Sequence, residues 1–162
     1  MKATFALVLS IIVMGFATAA SASKHLCPDP NYDGAEIYAS ATELYAGQRY
    51  DLRAGGDHDS RGCYYISGTG ERVSGYFTRQ PDFELNFYKN ANYKLMFRVQ
   101  SDCDSVLLIN TGAGNWYWDD DDAGNLDAQI YLTRPSAGWY DIWIGTVGPE
   151  NCDASLYLET FK

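Results

Sequence analysis

The chain has 162 residues, with 12 Lys and Arg against 21 Asp and Glu, for a formal net charge of -9. So acidic a balance opposes binding to nucleic acid and to anionic membrane surfaces and favours cations among small ligands. A solvated acidic surface also keeps an exported protein soluble, and that accounts for most of these charges.

Met1 and Lys2 lead an apolar run from Ala3 to Phe16, and small residues follow from Ala17 to Ser23. This is the order of a secretory signal peptide. The run is about 14 residues long, short of the roughly 20 that a spanning helix needs, and Ala20-Ser21-Ala22 offers an A-x-A cleavage pattern. Residues 1–22 are therefore expected to be removed, with Ser23 as the mature terminus and Ser21 as the near alternative. Nothing downstream is apolar over a comparable length, so the remaining ~140 residues are expected to work in the periplasm or outside the cell without a membrane span. Cys27, Cys63, Cys103 and Cys152 all survive cleavage. An even count in an oxidising compartment, with no C-x-x-C pair, reads as two disulfides rather than a metal site.

No stretch carries the 3.6-residue period of an amphipathic helix, whereas short alternating runs recur between Gly, Asp, Asn, Ser and Pro. The predicted strands, in order, are Arg49–Arg53, Cys63–Ser67, Val73–Phe77, Asp82–Tyr88, Tyr93–Gln100, Ser105–Asn110, Trp116–Trp118, Ala128–Thr133, Trp139–Gly145 and Ala154–Thr160. Alternation assigns Phe83, Leu85, Phe87, Tyr140, Ile142, Ile144, Leu156 and Leu158 to the core, with Ala154 and Thr160 in line. Glu84, Asn86, Asp141, Tyr157 and Glu159 fall on opposite faces, together with Trp139 and Trp143. The fold class is all-β, an antiparallel sandwich or jelly roll.

Two local features carry chemistry. The first is the acidic turn Asp119-Asp120-Asp121-Asp122, continuing through Asn125 to Asp127. Adjacent carboxylates repel, so an ordered turn needs backbone amides, basic side chains or a hard cation as compensation. The EF-hand template fails, since Ala123 stands at the fifth ligand position and Ile130 where the bidentate Glu belongs. A looser calcium site would use Asp119, Asp121, Asn125 and Asp127, with Asp104 or Asp102 from the preceding loop. The second feature is the aromatic content, 13 Tyr and 4 Trp. Exposed rings stack on sugars or anchor proteins, which makes Trp116, Trp118, Trp139 and Trp143 the candidate binding residues for a protein or glycan at the cell surface.

Catalytic patterns are thin. His25 and His58 are the only imidazoles. Gly55-Gly56-Asp57-His58-Asp59-Ser60 sets a histidine beside carboxylates and a hydroxyl, but such a segment is first of all a turn. No G-x-S-x-G elbow or H-E-x-x-H motif is present.

The segment from about Pro81 to Phe161 resembles the bacterial pre-peptidase C-terminal domain. The pattern runs through Asp82-Phe83-Glu84-Leu85, Phe97-Arg98-Val99-Gln100-Ser101-Asp102-Cys103-Asp104, the acidic turn, Leu126-Asp127-Ala128-Gln129-Ile130, Ala137-Gly138-Trp139-Tyr140-Asp141-Ile142 and a last strand through Leu156-Tyr157-Leu158. The resemblance implies a β-sandwich module found on secreted hydrolases and in stand-alone exported proteins, whose paired aspartates order this turn and which in some members binds calcium. Cys103 departs from it, standing where such domains carry an aromatic or aliphatic residue. The chain then divides into a signal peptide (1–22), an N-terminal β unit (23–80) packed on or beside the sandwich, and the module (81–162). One disulfide is expected inside each half, Cys27 with Cys63 and Cys103 with Cys152. The functional expectation is a non-catalytic binding or accessory protein. The alternatives are a secreted hydrolase, a peptidase by association with the module, and a structural component of an envelope assembly.

Overall fold

The structure, a computed structural model, describes residues 27–70 and 72–162. The expected signal peptide, the Ser23 terminus and His25 lie outside the described residues. Eleven strands are present among these residues: β1 (Ala35–Ser40), β2 (Gln48–Ala54), β3 (His58–Asp59), β4 (Tyr76–Phe77), β5 (Phe83–Tyr88), β6 (Lys94–Ser101), β7 (Ser105–Thr111), β8 (Trp116–Asp119), β9 (Gln129–Leu132), β10 (Gly138–Thr146) and β11 (Cys152–Phe161). They form two packed sheets, an all-β sandwich.

The first sheet is built around β10, which pairs with β5 on one side and β7 on the other. Outside these lie β1, parallel to β5, and β8, antiparallel to β7. The short β3–β4 hairpin joins the far end of β10 at Thr146. The second sheet runs β2-β11-β6-β9, antiparallel throughout. Residues 23–80 thus contribute an edge strand to each sheet, β1 to the first and β2 to the second.

The alternation read from the sequence holds between the sheets. Phe83, Leu85, Phe87, Tyr140, Ile142, Ile144, Leu156 and Leu158 are all buried in one cluster with Leu95, Phe97 and Val99 of β6. Burying an aliphatic or aromatic side chain of this size contributes about 1.5–3 kcal/mol. Tyr140 sits edge-on to Phe87, with ring centroids 6.2 Å apart, and its hydroxyl donates to the Ser136 carbonyl at 2.7 Å, so its polar end is satisfied.

Around residues 56–79 the expectations need correction. Cys63–Ser67 is not a strand; a 3-10 turn at Ser60–Gly62 leads into Cys63, and the backbone is then tied down by its disulfide rather than by a ladder. Val73–Phe77 shortens to Tyr76–Phe77 because Gly75 adopts φ 124°, outside strand geometry. Strands β1 and β3 went unpredicted. This segment lies over the β7–β8–β10 half of the first sheet and forms a second apolar cluster of Cys27, Cys63, Ile66, Val73, Phe77, Val106, Leu108 and Trp143. The approach is close. A Cβ on Gly56 would stand 2.0 Å from the Phe77 carbonyl carbon, and one on Gly145 would stand 2.5 Å from the Tyr76 oxygen. Both disulfides pair as expected, Cys27 with Cys63 and Cys103 with Cys152.

Candidate functional site: an acidic and aromatic sheet face

The cover leaves the β1–β5 side of the first sheet bare. Three carboxylates stand abreast there. Glu36 on β1 is the register partner of Glu84 on β5, and Glu84 is the partner of Asp141 on β10. Since side chains two residues apart share a face, the next row is Tyr38, Asn86 and Trp139. The rings of Tyr38 and Trp139 meet edge to face at 5.7 Å, closing over Asn86 between them. Tyr38 is 66% exposed and Trp139 38% exposed, so the pair is open to a partner.

Like charges directly opposite one another destabilise a sheet. The structure relieves part of this strain locally. The Gly34 amide donates to Glu84 Oε2 at 2.9 Å, and the Tyr38 hydroxyl donates to Glu36 Oε2 at 2.7 Å. Asp141 has no such donor. Its burial, the Glu84 charge and a hydrogen bond with Glu84 push its carboxyl up to about 6, so Asp141 is protonated in mildly acidic solution. Nearby, Asp82 accepts the Ile144 amide at 2.7 Å just before β5 begins, beyond the Phe83–Ile142 end of its ladder with β10. Burial raises that carboxyl to about 7, against the pull of the amide.

The sequence-predicted tryptophans do not form one platform. Trp139 belongs to the open face, but Trp143, four residues on, is fully buried in the second cluster, and its indole donates to the Arg79 carbonyl at 3.3 Å. Trp116 and Trp118 are half-buried against the same cluster; Trp116 packs on Trp143 at 5.6 Å, and the Trp118 indole donates to the Ser74 carbonyl at 3.1 Å. The reason is the cover, which makes the outer side of β7, β8 and distal β10 a second interior. The near-continuous apolar run Val106-Leu107-Leu108-Ile109 is the sequence signal for a strand buried on both faces. The Glu36–Glu84–Asp141 row had no such signal, because its members come from three strands whose pairing is tertiary.

In the acidic turn, Asp119 Oδ2 accepts the amides of Asp122, at 3.1 Å, and Gln129, at 2.8 Å. Asp127 Oδ1 accepts the Ser101 amide at 3.0 Å and the Ser101 hydroxyl at 2.9 Å. These two carboxylates therefore act as local caps that order the turn. Asn125 holds a left-handed backbone at φ 56°. Asp104 and Asp121 are near enough for the second charge to add to the burial that raises the Asp104 carboxyl. Among the described residues no three His, Cys, Asp or Glu side chains converge as a metal site would require.

The histidine segment is likewise occupied by structural contacts. His58 Nε2 lies 3.1 Å from Asp57, and Asp59 is paired with Arg61. The Ser60 hydroxyl is buried and donates to the Gly75 carbonyl at 3.0 Å. Imidazole and hydroxyl thus serve different partners, unlike a nucleophile and its base.

Neither a family model nor a curated protein matches the chain. Among solved structures it is similar to PliG of Aeromonas hydrophila, a periplasmic inhibitor of g-type lysozyme, at 9% identity and a TM-score of 0.45, over 80% of this chain and 98% of that one. At that distance the two are alike in outline only.

Proposed function

We propose that this is an exported, non-catalytic binding protein whose recognition surface is the open face of the first sheet, and that its partner is a cationic protein surface. The observation that carries this reading is the row Glu36, Glu84 and Asp141, set side by side against their mutual repulsion and flanked by the Tyr38–Trp139 pair. A lysine or arginine presented by a partner relieves that repulsion through charge-assisted hydrogen bonds. The adjoining rings offer it a cation–π contact and a large apolar area at low entropic cost. The net charge of -9 steers basic partners toward the molecule. Two disulfides and the leader-like N-terminus support work outside the reducing cytoplasm.

A hydrolytic role would draw on the Glu84–Asp141 pair. Cross-strand register partners whose charges repel each other favour recognition of a partner's cation over hydrolysis. Calcium, if bound, is proposed at Asp104 and Asp121, and a calcium-dependent rise in Tm lost in Asp121→Asn is the measurement for it.

The test is surface plasmon resonance of the secreted form against a panel of purified basic and acidic proteins. Binding should be confined to basic partners, weaken with salt, and strengthen from pH 5 to pH 7.5 as Asp141 loses its proton near 6. Trp139→Ala and Glu84→Gln should each weaken it about tenfold or more, the order of one hot-spot contact. A partner that binds both variants as tightly as the parent overturns the reading.

A further inference from the structure

On the opposite side of the molecule the second sheet also has an open outer face, of different chemistry. Leu95, Phe97 and Val99 of β6 point into the core, so Lys94, Met96 and Arg98 point outward. They are flanked by Tyr157, Glu159 and Phe161 of β11, with Glu159 opposite Met96 between the two cations, and by Tyr131 of β9, which is 43% exposed. Cations and rings interleave here. The Arg98 guanidinium lies 5.0 Å from the Tyr157 centroid, Lys94 Nζ lies 5.9 Å from that of Tyr131, and Tyr131 and Phe161 stand 6.0 Å apart.

The basic groups of this face differ in what they already hold. Arg49 and Arg53, on β2, are neutralised by Asp51 and Asp153. Lys94 and Arg98 have no ion pair among the described residues, and Arg98 Nε is buried without a hydrogen-bond partner. Arg98 also lines a hollow of about 210 Å³ against Gly124 and Asn125 of the acidic turn. At the neighbouring end of the sheet a groove of about 580 Å³ runs past Gln100, Asp102 and Ser155. An acidic protein thus keeps two unpaired cations among aromatic rings on one open surface.

We propose that this face binds an acidic polysaccharide in which carboxylate-bearing sugars alternate with neutral ones. Lys94 and Arg98 are four residues apart on one strand, which separates them by about 13 Å. That spacing suits a sparsely charged chain, with sugar rings lying on Tyr131, Phe161 and Tyr157 between its carboxylates. It does not suit nucleic acid, whose closely spaced phosphates would meet the surrounding negative charge of the protein. Recognition here is separate from the acidic face, so each reading stands or falls alone.

The experiment is calorimetric titration of the secreted form, in low salt with EDTA, using a hyaluronan octasaccharide, a neutral chitin oligosaccharide and oligothymidylate. Saturable binding of the hyaluronan is expected, at least tenfold tighter than either other probe. Arg98→Ala and the double variant Lys94→Ala/Tyr131→Ala should each weaken it tenfold or more, and each removed cation should make the remaining binding less sensitive to salt. The double variant changes only outward-facing residues and guards against a folding defect in Arg98→Ala. Absence of hyaluronan binding, equal binding of oligothymidylate, or parent-like affinity in a folded double variant overturns the proposal.

Discussion

Trp139 and Trp143 show how much four residues of separation along one strand decide. Both were read as lying on the face of β10 opposite the core set, and strand geometry does place them on the same side. Only the covering segment distinguishes them, burying one and leaving the other open. Trp143→Ala should therefore destabilise the protein by about 3–5 kcal/mol, the usual cost of emptying a large aromatic site in a core. Trp139→Ala should change stability by less than ~1 kcal/mol, as exposed substitutions do. Urea unfolding of the two variants checks the contrast, and equal losses would place both rings in the same environment.

At the scale of elements, the cover is the part of the fold with the least regular structure and the greatest consequence. It is held by two-residue strands, by indole bonds to the Ser74 and Arg79 carbonyls, by the Arg79–Asp29 ion pair and by the Cys27–Cys63 bridge. That bridge closes 36 residues and the Cys103–Cys152 bridge closes 49, so chain-entropy arguments give each about 3–4 kcal/mol. Their removal should nonetheless look different. Cys27→Ser/Cys63→Ser should loosen the cover over Trp143, Trp116 and Trp118, shifting tryptophan emission to the red before global unfolding. Cys103→Ser/Cys152→Ser, at the end of the second sheet, should lower stability with native emission retained. Identical spectra for the two variants would show that the cover is not a separate unit of stability.

For the whole molecule, opposing carboxylates set the pH of greatest stability. Asp82 and Asp141 are raised from 3.8 to about 7 and about 6, chiefly by burial, so the folded state binds more protons than the unfolded chain across that interval. Their effect is a loss of stability as pH rises from about 4 to 7, in the same direction as growing self-repulsion of the acidic surface. Asp29, Glu43 and Asp51 act oppositely. Hydrogen bonds, foremost from Asn31, Ser40 and Ser155, hold their carboxyls below the ordinary values, so the stability they bring is lost as pH falls below about 4. Greatest stability is expected near pH ~4.5–5, in thermal or urea unfolding from pH 3 to 8. Asp82→Asn and Asp141→Asn should each flatten the neutral limb, and a maximum at pH 7 or above in the parent would contradict these assignments.

The sequence alone determined the all-β class, most strands within a residue or two, the inward set from Phe83 to Leu158, and the disulfide partners. These rest on information that lies close along the chain: a two-residue period, turn residues between runs, and cysteines grouped by half. The tertiary structure decided what each outward face meets. β1 was missed because Ala35-Glu36-Ile37-Tyr38-Ala39-Ser40 is a weak strand former, and it is ordered by a parallel partner some fifty residues away. The carboxylate row exists only because that pairing aligns Glu36 with Glu84, and the β5–β10 pairing aligns Glu84 with Asp141. Asp119 and Asp127 were legible as an acidic turn but not as caps, since their donors are chosen by the fold. Alternation says that a side chain points outward; only the packing of distant segments says whether outward means water, a covering loop or a neighbouring charge.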